Sequence, residues 1–272
     1  MPEKGSEHSN KTLCLTRLQW EHGKINISFQ KSLILNLGCG TRTSSLPNVV
    51  NIDWSMMLRF RKNRVLNWFA LHLLKGARLE RFKSLPDNIL VHNIAKDIPF
   101  ENGSVDVVYH SHVLEHLDKD VAKRFLLECQ RVLKPGGVIR IVVPDLERLC
   151  GQYLTHCRIM PNADIEAHEH LIAEIIEQCV RREAHGTSLQ KPIRRKLENL
   201  LLGDARSRGE THQWMYDRFT LRKLLEDCGY ISVQTFDHLN SNVDGWGCLQ
   251  LDANEAGGMY IANSLFIEAF AP

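Results

Sequence analysis

Nothing in this sequence approaches the roughly 18 consecutive apolar residues that a membrane span requires. It also has no CxxC pair, no repeat period and no low-complexity tract. Charge of neither sign dominates: 34 Lys and Arg face 32 Asp and Glu, and the net charge of +2 offers no general affinity for nucleic acid. The first residues, MPEKGSEHSNK, lack the apolar core of a secretory signal, which predicts a cytoplasmic protein. Without CxxC spacing, the eight cysteines (Cys14, Cys39, Cys129, Cys150, Cys157, Cys179, Cys228 and Cys248) read as reduced thiols, mostly core or incidental. What is present is ordinary globular material. The chain has 272 residues, 43% of them hydrophobic, enough for one large core.

Five short apolar runs carry the fold: Leu33–Leu37, Asn48–Ile52, Ile89–His92, Val105–Tyr109 and Val138–Val143. Near-continuous β-branched runs suit a parallel sheet buried on both faces. Between the last two lies an amphipathic helix, Lys119–Leu133, with Val121, Ala122, Phe125, Leu126, Cys129, Val132 and Leu133 at helical spacing. Lys134-Pro135-Gly136-Gly137 is expected to close it. Strand, helix and strand in that order predict a Rossmann-like, doubly wound α/β domain. A further helix at Leu221–Asp227 precedes two late strands, Tyr230–Phe236 and Ser264–Ala269. Residues 1–31 read as an extension, 32–145 as the cofactor-binding core, 146–217 as a helical cap and 218–272 as the closing helix and strand pair.

The first run passes directly into Gly38-Cys39-Gly40, where glycines let the backbone turn and approach a ligand. Asp53 ends the second run, where a carboxylate could accept both hydroxyls of a ribose. Asn93-Ile94 ends the third, where an amide and a backbone N–H could read an adenine edge. Further on come Ile98-Pro99-Phe100, Asn102-Gly103-Ser104-Val105-Asp106, His112-Val113-Leu114-Glu115-His116 and Arg131-Val132-Leu133-Lys134-Pro135-Gly136-Gly137. In that order and spacing these motifs resemble the type 11 module of the class I S-adenosylmethionine-dependent methyltransferases, over about residues 33–145. The resemblance implies a mostly parallel seven-stranded sheet with an antiparallel final strand, and S-adenosyl-L-methionine as cofactor. The cofactor residues are then Asn36, Gly38, Cys39, Gly40, Asp53, Asn93, Ile94 and His110. Asn36 stands where the family often has an acid, so its grip on the methionine ammonium would lack charge assistance. Only Thr41–Pro47 joins Gly40 to the next strand, although a parallel crossover normally takes about a dozen residues. The usual first helix is therefore cut to a turn, and the N-terminal segment is expected to cover the bare face. The short link also disfavours a dinucleotide-binding dehydrogenase, which would need a helix N-terminus for its pyrophosphate.

Methyl transfer asks for alignment, exclusion of water and sometimes a base. His110 and His112 leave the fourth strand at the cleft and, on a regular strand end, share a face. His116 is expected to cap or pack the following helix. As a metal set, His110, His112, Glu115 and His116 have no closing partner in sequence, and no metal is expected. His168 and His170 lie in a charged helical run and read as solvated. A second cluster, His212-Gln213-Trp214-Met215-Tyr216-Asp217, resembles a stretch of methyltransferases associated with sugar or polysaccharide biosynthesis. It offers His212 as a base beside His112, with Tyr216 at the cleft and Trp214 as a wall or an anchor of the cap.

The stretch Trp54–Lys83 carries eight Lys and Arg against Glu80 alone. It reads as a crossover helix with a solvated basic face and with Trp68, Phe69, Leu71 and Leu74 inside, contact with anionic lipid being the lesser reading. The expectation is an S-adenosylmethionine-dependent methyltransferase acting on a small-molecule or glycan-type acceptor, most readily at oxygen, with no nucleic-acid partner. Two rivals stay open: use of the same cofactor for attack at its aminobutyl carbon, and a non-catalytic scaffold that keeps the cofactor pocket.

Overall fold

The computed structural model describes residues 32–159, 165–179, 211–254 and 256–272. Seven strands form one sheet: β1 (Ile34–Leu37), β2 (Val49–Asp53), β3 (Ile89–Val91), β4 (Val105–Ser111), β5 (Leu133–Pro144), β6 (Ile231–Phe236) and β7 (Ser264–Phe270). Their spatial order is β3-β2-β1-β4-β5-β7-β6. The first five pair in parallel, and β7 lies antiparallel between β5 and β6. The order reverses at β1 and β4, so their carboxyl ends open a crevice of the kind in which doubly wound sheets bind ligands.

Strand alternation divides the core. Leu35, Leu37, Val108, Ile139 and Ile141 face α4 (Lys119–Val132) and α7 (Arg218–Asp227), meeting Phe125, Leu126, Cys129, Leu221 and Leu225. Helix α7 starts where Asp217 accepts from Phe219 and Thr220 backbone N–H groups in a reciprocal cap with the Thr220 hydroxyl. Strand β5 begins at Leu133, so the expected helix-closing run is already strand. A Cβ on Gly137 would lie 3.0 Å from the Asp106 carbonyl and 2.9 Å from that of Lys134, which reserves the position for glycine.

The opposite face differs from expectation. Ile34, Val49, Val107, Tyr109, Val138 and Val142 are covered by Val243, Trp246, Leu249 and Leu251, from the connection between β6 and β7. The C-terminal third thus fills the space left by the missing first helix, while residues 1–31 lie outside the described residues. Arg42, in the short β1–β2 link, ties down the cover by donating to the Gln250, Leu251 and Ala253 carbonyls. Beneath it, fully buried Arg140 pairs with Asp252 at 2.7 Å and with Glu268 at 2.5 Å. Asp252 also accepts from the Tyr109 hydroxyl and the Trp246 indole, both at 2.7 Å, so the carboxylate is well satisfied.

Three helices join β2 to β3: α1 (Met56–Lys62), α2 (Arg64–Leu73) and α3 (Ala77–Lys83). Leu58, Ala70 and Phe82 form a small core with Leu85, Ile89 and Cys39. Trp68, Phe69 and Leu71, expected inside, are exposed, and of the expected four only Leu74 packs on this core. After β5 come α5 (Leu146–Ile159) and α6 (Ile165–Cys179). Here His170 is exposed as expected, whereas His168 stacks on His156 with the two Nδ1 atoms 3.1 Å apart.

Candidate functional site

At the end of β1 the chain turns through two left-handed glycines, Gly38 (φ 64°) and Gly40 (φ 52°). The bend is held from beneath: Cys39 N–H donates to the Ile52 carbonyl at 3.2 Å, and Arg42 N–H to the Cys39 carbonyl at 2.8 Å. Asp53 is fixed beside it by two backbone donors, Gly40 N–H on Oδ2 at 2.8 Å and Ser55 N–H on Oδ1 at 2.7 Å. Each carboxylate oxygen still has acceptor capacity for a hydroxyl. Ile94 and Val113 close over the bend. A Cβ on Gly38 would run into Val113 Cγ2 and come within 3.7 Å of Ile94 Cδ1, whereas one on Gly40 would meet nothing within 4 Å. Asn93, one residue before Ile94, accepts from Ala95 N–H at 3.1 Å through Oδ1, which sets the side chain and leaves its amide hydrogens for a ligand. Gly38, Gly40, Asp53, Asn93 and Ile94 therefore gather at one strand end, joined by Val113, a residue the sequence reading quoted without assigning it a role. A separate recess, lined by Ser32, Asp106, Lys134 and Asn242, opens at the other end of the strands.

Three expected cofactor residues have other work. The Asn36 amide donates to the Arg42 carbonyl (2.9 Å) and to Asn51 Oδ1 (3.0 Å), bracing the short link, and the side chain is buried away from the crevice. The Cys39 thiol lies in the small core, where burial and then the charge of Asp53 push its pKa up to about 12. His110 is fully buried against Phe125, with ring centroids 5.2 Å apart and no hydrogen-bond partner among the described residues. Desolvation, only partly opposed by Glu115, lowers its pKa to about 4.

His112 does not share a face with His110, because it takes φ 53° and leaves the strand path. Its Nε2 lies 3.0 Å from Ser264 Oγ, and that hydroxyl donates to the Ile261 carbonyl, so it can only accept from the ring. Its Nδ1 lies 3.0 Å from Glu115 Oε1. Both ring nitrogens of His112 thus face protein groups rather than the crevice. Glu115 is itself fully buried. Burial works to raise its pKa, but the hydrogen bond from His112 and the charges of His112 and His116 prevail and hold it below the usual value.

The Glu115 carbonyl accepts from Gln213 N–H (2.7 Å) and Trp214 N–H (3.3 Å), which carries the second sequence cluster onto the first. As a result His116 and His212 meet edge to face, 4.7 Å between centroids. Glu115, His116 and His212 bring ligand-type atoms within 4.8 Å of one another, a set able to hold a metal ion or to relay a proton. His116 Nδ1 sits on the Thr211 carbonyl (3.1 Å) and His212 Nδ1 on the Gln178 carbonyl (2.6 Å). A carbonyl only accepts, so in the neutral form of either ring Nδ1 carries the proton and Nε2 the basic lone pair. Tyr216 is not at the cleft. Its ring is buried in the main core, burial and then Glu115 raise its hydroxyl pKa, and its backbone bridges Asp145, so it anchors the segment. Trp214 is half exposed with the Lys119 ammonium 3.5 Å over its ring.

Residues 35–141 match the family model of the methyltransferase domain. The matched segment spans less than half of the chain. It runs from β1 into β5 and contains the glycine bend, Asp53, Asn93, Ile94 and the β4 exit. S-adenosylmethionine is the methyl donor of such a domain. Over 54 residues, 20% of this chain, the sequence is 41% identical to a protein of Mycolicibacterium smegmatis named as a probable S-adenosylmethionine-dependent methyltransferase. The chain spans about a fifth (20%) of that relative's length. Among solved structures, a SAM-dependent methyltransferase from Methanosarcina mazei is 18% identical, with 91% of this chain and 98% of that one covered at a TM-score of 0.41. One from Archaeoglobus fulgidus is 15% identical, with 96% and 94% covered at 0.38.

Proposed function

We propose that the whole chain is an S-adenosylmethionine-dependent methyltransferase acting at an oxygen of a small-molecule or glycan-type acceptor. The observation that carries this reading is the pinned carboxylate of Asp53 beside a left-handed Gly38–Gly40 bend, with open space over Gly40. A ribose diol fits a carboxylate that still has acceptor capacity on each oxygen, and adenine fits between Asn93 and Ile94. When bound, S-adenosylmethionine supplies an electrophilic methyl group on a sulfonium. His212 takes the acceptor hydroxyl proton at Nε2, and the buried Glu115 carboxylate balances the charge gained by that ring. His112, held at both nitrogens, positions Glu115. The described parts of the stretch 146–217, residues 146–159, 165–179 and 211–217, serve as the acceptor-side cap, with Tyr216 as its anchor.

Calorimetry with S-adenosylhomocysteine, followed by transfer of a labelled methyl group to hydroxyl-bearing sugars and metabolites, tests the reading. Release of S-adenosylhomocysteine is expected. Methylthioadenosine would instead mean attack at the aminobutyl carbon, binding without turnover would leave a scaffold, and no binding at all would overturn the reading. Replacing His212 by Ala is expected to lower kcat about 10²- to 10⁴-fold with little change in cofactor affinity.

A further inference from the structure

Helix α2 has no part in the proposed chemistry, and its composition is out of place in water. From Arg64 to Leu73 it carries Val65, Leu66, Trp68, Phe69, Ala70, Leu71 and Leu73, yet only Ala70 is buried. Val65 is 63% exposed, Trp68 56%, Phe69 48% and Leu73 74%. At 100° per residue these four fall on one arc of about 140°, on the side away from Ala70. Among the described residues nothing covers that arc. Single exposed apolar residues are common, but two aromatic and two aliphatic side chains on one continuous face mark a contact surface.

The flanking charge says what kind. Arg64 at the start of the helix, and Lys75 and Arg78 just beyond its end, are exposed. Arg59 lies over the Trp54 ring, 4.5 Å to its centroid. The neighbouring acids are already engaged, Glu80 with Lys83 at 3.8 Å and Asp87 with Arg61 at 2.8 Å. An apolar face edged by cations complements an anionic lipid surface, where aromatic rings settle at the headgroup level and cations meet phosphates. A second copy of the chain fits less well, because a two-fold pairing of this face would bring like charges together.

We propose that α2 lies in the headgroup layer of an anionic membrane and docks the protein there. The helix follows Asp53 after only Trp54, Ser55, the short helix α1 and Asn63, so docking holds the crevice close to acceptors carried at a bilayer surface. The docking itself stands apart from the methyl-transfer reading and is tested without turnover.

The full chain is centrifuged with vesicles of phosphatidylcholine alone or mixed with phosphatidylglycerol, at low and at high salt. Binding is expected only to the anionic vesicles, weakening as salt rises. Trp68→Glu with Phe69→Glu is expected to reduce it at least about tenfold while leaving the melting temperature unchanged, since both side chains face solvent. Arg64→Glu with Lys75→Glu is expected to weaken binding to anionic vesicles by a similar factor. Failure of the unaltered chain to pellet with either vesicle, or equal pelleting of the Trp68/Phe69 variant, overturns the proposal. So does light scattering that shows a dimer abolished by the same variant in a chain that ignores vesicles, which would assign the face to a second copy.

Discussion

Asp53 does two jobs with one carboxylate. Its backbone bonds hold the glycine bend in shape, and its remaining acceptor capacity is what a ribose would use. Asp53→Ala is therefore expected to weaken S-adenosylhomocysteine binding by about ten- to a hundredfold, the range for losing hydrogen bonds to a charged group, read by calorimetry. Gly38→Ala introduces both left-handed strain and a collision with Val113. It should abolish measurable binding, and adding Val113→Ala should restore part of it by removing the collision but not the strain. His110 gives a pH signature. Above its ordinary value of 6.5 the ring is neutral whether folded or unfolded. Below that, the unfolded chain takes up a proton that the buried ring refuses until about pH 4, so stability is lost between those two values. The loss reaches about 3 kcal/mol by pH 4. Urea titrations across this range should show a flatter acid slope for His110→Phe, and an unchanged slope would rule out His110 as its source. None of these roles for His110 or His112 is visible in a strand pattern. Alternation puts the two rings on one side, and a single left-handed residue undoes it.

At the scale of elements, the sequence announces those whose burial is symmetrical. The central strands β1 and β4 and the second half of β5 are largely apolar because both faces are covered, and α4 shows its stripe because one face is. Each was legible to within a few residues. The cover over the second face was not, since the β6–β7 connection has no period and its Val243, Trp246, Leu249 and Leu251 look like scattered loop residues. Helix α2 misled in the opposite direction: apolar residues at any spacing read as buried, and sequence alone does not distinguish a core-facing stripe from a solvent-facing one. The seam between β5 and β7 rests on a buried charge set. Removing one member leaves another uncompensated, so Glu268→Gln is expected to lower stability by about 3–5 kcal/mol in urea unfolding. Replacing Arg140, Glu268 and Asp252 together by apolar residues of similar size should lose much less.

For the molecule as a whole, the cofactor half declared itself because its special residues follow strands within a few positions. The acceptor half did not. His212 reaches Glu115 across nearly a hundred residues of sequence through two backbone bonds onto one carbonyl, a contact that no local motif encodes. That long reach also separates the predictions. Cofactor affinity should respond to changes in the first hundred residues and hardly to His212, whereas turnover should respond to both.

The crossed-over last strand has a consequence for how the protein is made. Because β7 inserts between β5 and β6, and the loop before it seals the hydrophobic side of β1, a nascent polypeptide cannot finish its centre until β7 has left the ribosome. Until then Ile34, Val107 and Val138 wait without their lid, an interval in which holdase chaperones would find a client.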